Sequence, residues 1–114
     1  MPLRMSPRET SGITIIDLNG RITLGEGCDS LVELFHDLMM RGQKKVLMNL
    51  AEVSYIDSSG IGVLMKCFVT SKRHGGAVKL VHLNTKIRDL FQITNVYTVF
   101  EVFSDEQAAT GSFV

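Results

Sequence analysis

Val46-Leu47-Met48-Asn49-Leu50 and, a few residues on, Tyr55-Ile56-Asp57-Ser58-Ser59-Gly60-Ile61-Gly62 decide how this chain folds. The first run is short and almost wholly apolar, as expected of a central strand covered on both faces. A loop follows it. Beyond the loop, Ile61, Leu64, Met65, Phe68 and Val69 recur at helical spacing as far as His74-Gly75-Gly76, which predicts a helix. A buried strand that feeds a helix is the repeating half of a strand-helix-strand unit, and this predicts a layered α/β domain with right-handed crossovers between parallel strands.

The flanking sequence continues the alternation. Upstream, Ile13 to Leu18 is β-branched and short, and Asn19-Gly20 reads as a turn into a second strand, Arg21 to Leu24. Leu3 to Glu9 could add another strand, at a sheet edge because Pro7 cannot donate to a ladder. After Gly25-Glu26-Gly27, the residues Cys28, Leu31, Leu34, Phe35, Leu38 and Met39 mark an amphipathic helix that ends by Gly42. Downstream, Ala77 to His82 reads as a strand. Asn84 is an N-cap for a short helix carrying Ile87, Leu90 and Phe91, and Asn95 is able to close it in the left-handed conformation. Val99 to Phe103 reads as a last strand, and Ser104 with Gln107 has capping-box spacing for a final helix. The 114 residues fit a single domain over 1–114, with residues 1–8 as an edge strand or loose start and 111–114 as a flexible tail.

Twelve basic and twelve acidic side chains cancel, so no global field steers the protein to a phosphate backbone or an anionic membrane. Lys44-Lys45 and Lys72-Arg73 read as solvated element ends. Direct nucleic-acid binding is not expected. The most apolar stretch, Ile61 to Val69, contains Lys66 and is far shorter than a membrane span. No secretory signal follows the N-terminal Arg4 and Arg8, and a cytoplasmic location is expected. Cys28 and Cys67 fall on apolar helix faces and read as reduced, buried thiols. With the three histidines they show no metal-ligand spacing, so neither a metal nor another cofactor is expected. Met39-Met40 cannot both face one core.

The chemically unusual segment is the one from Asp57 to Gly62, which delivers two hydroxyls to a helix start. There, unpaired N–H groups and the positive dipole end favour an anion, including a phosphate on the chain's own serine. Gly60 and Gly62 leave the backbone open to a partner or to an enzyme's active site. Asp57, Ser58 and Ser59 also suit plain helix capping, and on residue grammar alone that is the simpler reading. A hydrolase elbow would need Gly-x-Ser-x-Gly, whereas Asp57 and Ile61 stand two positions either side of Ser59.

Asp57-Ser58-Ser59-Gly60-Ile61-Gly62-Val63-Leu64 resembles the signature of STAS domains, the family of the bacterial anti-anti-sigma proteins. Gly20-Arg21-Ile22, Val46 to Leu50 and Ile87 to Phe103 are similar to other stretches of that family. The resemblance implies a mixed sheet of four to five strands with about four helices packed mainly on one face. It also implies a non-enzymatic anti-sigma factor antagonist that works by partner switching. Ser59 matches the serine that an anti-sigma factor/serine kinase phosphorylates and a serine phosphatase restores. Asp57 matches the aspartate that supports the loop and helps phosphoryl acceptance, and Ser58 matches a contact residue, with Gly60, Ile61 and Gly62 completing the partner-binding segment. The sequence departs from the family pattern at Gly25-Glu26-Gly27-Cys28-Asp29 and at Asn95.

Phosphate on Ser59 would add about −1.5 to −2 charges beside Asp57. Driving a partner from 99:1 bound to 1:99 takes about 5.5 kcal/mol, a size that burying an uncompensated dianion reaches. Two alternatives stand beside this switch. One is a non-switching STAS scaffold or transporter-associated subunit in which Ser59 only caps its helix, and the other is a nucleotide-binding module that cradles phosphate in the loop from Ser58 to Gly62.

Overall fold

Strands and helices alternate along residues 2–113, the part of the chain that the computed structural model describes. The strands are β1 (Arg4–Thr10), β2 (Ile13–Ile22), β3 (Lys45–Ile56), β4 (Ala77–Val81) and β5 (Val102–Phe103). The helices are α1 (Glu26–Met40), α2 (Ser58–Arg73), α3 (Thr85–Ile93) and α4 (Glu106–Gly111), with a 3-10 turn at Val96–Thr98. Sheet order follows chain order, β1-β2-β3-β4-β5. Only β1 is antiparallel to its neighbour. Its hairpin turns through Ser11 and Gly12, both at positive φ (52° and 79°), the backbone twist that suits a two-residue connection.

The two faces of the sheet are covered unequally. Ile16, Leu18 and Ile22 of β2 and Val46, Met48 and Leu50 of β3 join the apolar faces of α1, α2 and α3 in the main core. On the opposite face Ile13, Ile15, Leu47 and Val81 meet α4 through Ala109. Period-two alternation of side chains along β2 and β3 makes this division. The mixed five-stranded sheet with helices mainly on one face agrees with the expected architecture.

Several local expectations are corrected. Asn19-Gly20 is not a turn, because β2 continues through it to Ile22. Gly20 is needed there for another reason: at φ 117°, a Cβ would stand 2.4 Å from the Pro2 carbonyl oxygen. The strand expected to end at Leu50 continues to Ile56, and α1 begins at Glu26 instead of Cys28. Of the last predicted strand, Val99 to Phe103, only Val102 and Phe103 pair with β4; Val99 is still in helical conformation as the C-cap of the 3-10 turn that follows Asn95, itself left-handed at φ 60°. The final helix is capped by Asp105, not Ser104: its Oδ2 accepts the Ala108 N–H at 2.9 Å. Asn84 caps α3 as expected, accepting the Ile87 N–H at 3.0 Å.

Met39 is buried and Met40 is 68% exposed, as their adjacency requires. Within the predicted tail, Ser112 accepts two hydrogen bonds from Lys79 Nζ (3.0 and 2.9 Å), and the Lys79 ammonium lies 4.8 Å from the Phe113 ring centroid. Those contacts hold the chain against β4 as far as Phe113. Met1 and Val114, included in the expectations for the two ends, lie outside the described residues.

Candidate functional site

Parallel pairing of β2 with β3 brings Ile22 beside Ile56, so the strands end together where α2 begins. Asp57, in extended conformation, is the N-cap of α2. Its carboxylate joins two segments of chain. Oδ1 accepts the Gly60 N–H at 2.8 Å, and Oδ2 accepts the Leu24 N–H at 3.0 Å from the loop between β2 and α1. The Leu24 amide, followed by that of Gly60, holds the Asp57 carboxyl below the usual carboxylate range. Hydrogen bonds to the charged form have this effect, and the carboxylate is therefore ionised at neutral pH.

The residues singled out from sequence face in different directions. Ser58 is exposed in the first turn of α2, and Ser59 is half-buried. Ser71, farther along the helix, gives its hydroxyl to the Phe68 carbonyl at 2.7 Å. Gly60 is buried with its Cα turned inward: a Cβ there would meet the Ile22 carbonyl oxygen at 2.2 Å and Ile56 Cγ2 at 2.7 Å. The absent side chain makes room for the protein's own β2, which corrects the idea that Gly60 is left open for a partner. Ile61 packs against the main core. Gly62 is the open glycine, since a methyl group on its Cα would have no neighbour within 4 Å.

Ser59 and Gly62 line a groove of about 610 Å³ between α1 and α2, together with Leu24, Cys28, Asp29 and Lys66. The groove leads into a second hollow of about 430 Å³, lined by Val32, Phe35, His36, Cys67 and Thr70 among others. Leu24, on the groove rim, is 79% exposed. Burial pushes the Cys67 thiol up to about 12, and Cys28 is also raised, first by burial and then by the nearby Asp57 and Asp29. Both cysteines are free and buried, so neither is poised as a thiolate nucleophile.

Sequence reading missed Leu24 and Lys66 as neighbours of Ser59. An exposed leucine beside a glycine loop carries no periodic signal, and Lys66 looks like one more solvated helix charge. It also missed Tyr55, whose ring has the Arg21 guanidinium carbon 5.1 Å and the Lys86 ammonium 5.5 Å from its centroid. Arg21 and Tyr55 are register partners on β2 and β3, a relation that appears only once the strands are paired.

A strand-end loop whose Asp57 caps α2, on a five-stranded mixed sheet, defines a small α/β domain. The chain belongs to the STAS domain family, whose model matches residues 4–109. It is 38% identical over 53 residues to the anti-sigma-B factor antagonist of Bacillus subtilis, a match covering 46% of this chain and 49% of that one. The chain thus matches about half the length of that relative. An anti-sigma factor antagonist from Mycobacterium paratuberculosis superposes with a TM-score of 0.85 at 14% identity, covering 97% of this chain and 93% of the other. The Bacillus cell fate determinant SpoIIAA, in its phosphorylated form, superposes with a TM-score of 0.71 at 17% identity, each chain covered to 96%. At these identities the structural matches speak for the fold alone. Among the described residues no helix is long and apolar enough to cross a membrane.

Proposed function

We propose that this protein is an anti-sigma factor antagonist whose partner binding is switched by phosphorylation of Ser59. The observation that carries the reading is the place of Ser59: second residue of α2, half-buried at the mouth of the α1–α2 groove. The names of the relatives support the general role, and a phosphorylated form of the structurally similar SpoIIAA supports the modification.

In this reading the partner is an anti-sigma factor that is also a serine kinase. The Ser59 hydroxyl oxygen takes the γ-phosphoryl group of ATP bound to that kinase, ADP leaves, and the hydroxyl proton passes to a base on the kinase. Asp57 is a poor candidate for that base, because both of its oxygens already accept N–H groups and its lowered pKa makes it a weak proton acceptor. It acts as a positioning residue that fixes the first turn of α2. Ser58, Ile61 and Gly62 border the contact surface, while Gly60 lets α2 start close to β2. A serine phosphatase resets the switch. The protein itself catalyses nothing, needs no cofactor, and works in the cytoplasm.

The phosphate would bring about −1.5 to −2 charges to a groove whose rim carries Asp29 and Glu33, with Lys66 as the cation among its lining residues. Dehydrating that charge in an interface costs several kcal/mol, enough to release a partner. The test is phosphopeptide mapping after incubation with the cognate kinase and ATP. Phosphate on Ser59, lost in Ser59→Ala, supports the switch; phosphate confined to Ser58 or Thr70, or none at all, overturns it in favour of a non-switching scaffold.

A further inference from the structure

We propose that Arg21, Tyr55 and Lys86 form a docking patch for an acidic, Asp/Glu-rich segment of a partner protein. Two cations from different elements, the end of β2 and the first turn of α3, lie over one tyrosine ring (5.1 and 5.5 Å to its centroid). All three residues are exposed. Among the described residues, the ion pairs involve Arg8, Arg41 and Lys79, and none involves Arg21 or Lys86. Two like charges gathered at one ring, neither of them in an ion pair among the described residues, create a local positive potential in a chain whose net charge is zero, and an anionic partner relieves it.

The backbone adds to this field. Lys86 is the second residue of α3, whose first turn contains no acidic residue. The dipole of that helix places partial positive charge at the same end. Asp57, two residues on from Tyr55, is ionised but directs its oxygens to the Gly60 and Leu24 amides and forms no ion pair with Arg21 or Lys86 among the described residues. Asp89 lies one turn on from Lys86 on α3 without an ion pair to it among the described residues.

Arginine and tyrosine are among the side chains most able to anchor a protein interface. A nucleic acid fits less well. Its binding is driven by neutralising many phosphates, and this patch offers two cations in a chain of zero net charge. Arg21 and Tyr55 are register partners near the ends of β2 and β3, and Asp57 and Ser59 follow directly from β3, so an acidic segment docked here lies at the same end of the molecule as Ser59. A phosphate on Ser59 then repels that segment as well as the body of the partner. This inference rests on the switch reading only in taking the ligand to be a protein.

Isotope-labelled, unphosphorylated protein titrated with a synthetic twelve-residue Asp/Glu peptide tests the patch by NMR. A Lys-rich peptide and a single-stranded oligonucleotide serve as comparison probes. The expected result is saturable shifts centred on Arg21, Tyr55 and Lys86 with the acidic peptide. Arg21→Gln and Lys86→Gln should each weaken binding about two- to fivefold, as exposed charge pairs do, and high salt should suppress it. Shifts that are absent, lie elsewhere, or persist unchanged in the double variant overturn the proposal, as does tighter binding of the oligonucleotide at the same residues. No kinase enters this experiment, so its failure is separate from a failure to find phosphate on Ser59.

Discussion

Gly60 lies so close to the backbone of Ile22 that a methyl group on its Cα would stand 2.2 Å from the Ile22 carbonyl oxygen. Two glycines in the same turn of helix therefore have opposite duties, because a methyl on Gly62 would touch nothing within 4 Å. Gly60→Ala is expected to destabilise the domain by about 1–3 kcal/mol, the usual cost of overpacking, since the opposing atoms include backbone that cannot swing aside. Gly62→Ala is expected to be neutral or to stabilise by up to about 1 kcal/mol, as alanine does for glycine in an exposed helix. Urea unfolding of the two variants checks the contrast, and equal losses would refute it.

Asp57→Ala removes the cap of α2 and the tie to Leu24 together. A stability loss of about 0.5–2 kcal/mol is expected from the cap, which leaves the domain folded. Hydrogen exchange should then speed up at the Leu24 and Gly60 amides more than at Ile61, whose N–H bonds the Asp57 backbone carbonyl at 3.0 Å. Uniform acceleration through α2 would mean that the cap holds the whole helix and not the loop.

Ser59→Ala should keep its affinity for the anti-sigma partner. Ser59→Asp should weaken binding, and the phosphorylated protein should bind weakest. Alanine adds no charge, aspartate adds one, and phosphate adds nearly two. Calorimetric titration of the three forms against one partner reads the order, and equal affinities would put Ser59 outside the interface.

Acid should destabilise the fold through two regions. The Arg8 guanidinium lowers Asp17 and Glu106, and backbone N–H groups lower Asp57. A carboxyl whose folded value is depressed binds fewer protons folded than unfolded, so its stabilisation is present above its ordinary value near about 4 and fades as pH falls below it. Thermal midpoints should thus drop as pH is lowered from about 5 towards 2. The Asp17 and Glu106 pairs with Arg8 are partly exposed, which keeps their share modest. Asp57→Asn should flatten part of the acid limb, and an unchanged slope would remove Asp57 from its causes.

Much of the fold was legible because its elements carry strong periodic signals. The run from Val46 to Leu50, the face Ile61, Leu64, Phe68 and the cap Asn84 were each readable from a few residues. The errors arose where tertiary contact overrides local grammar. Asn19-Gly20 has the composition of a turn, yet Gly20 serves the passage of Pro2 across β2. Ser104 has capping-box spacing, yet Asp105 brings its carboxylate to the helix amide. At the site, Asp57 and Ser59 could be named from the motif. The Leu24 tie, by contrast, spans 33 residues of sequence, and the Arg21–Tyr55–Lys86 cluster depends on strand register and on the approach of α3, neither of which leaves a local trace.

Because strand order in the sheet repeats strand order in the chain, each new strand finds its place beside the one made just before it. A growing polypeptide can therefore assemble the sheet in the direction of synthesis, with no strand waiting for a distant mate. Three of the four pairings are parallel and need a crossover, a slow topology, but pairing each strand with its predecessor in sequence keeps every loop closure as short as the crossover allows. On such a route the two-residue β5 is expected to be seated last. Pulse-labelled exchange during refolding would show this as protection of β2 and β3 no later than that of Val102 and Phe103.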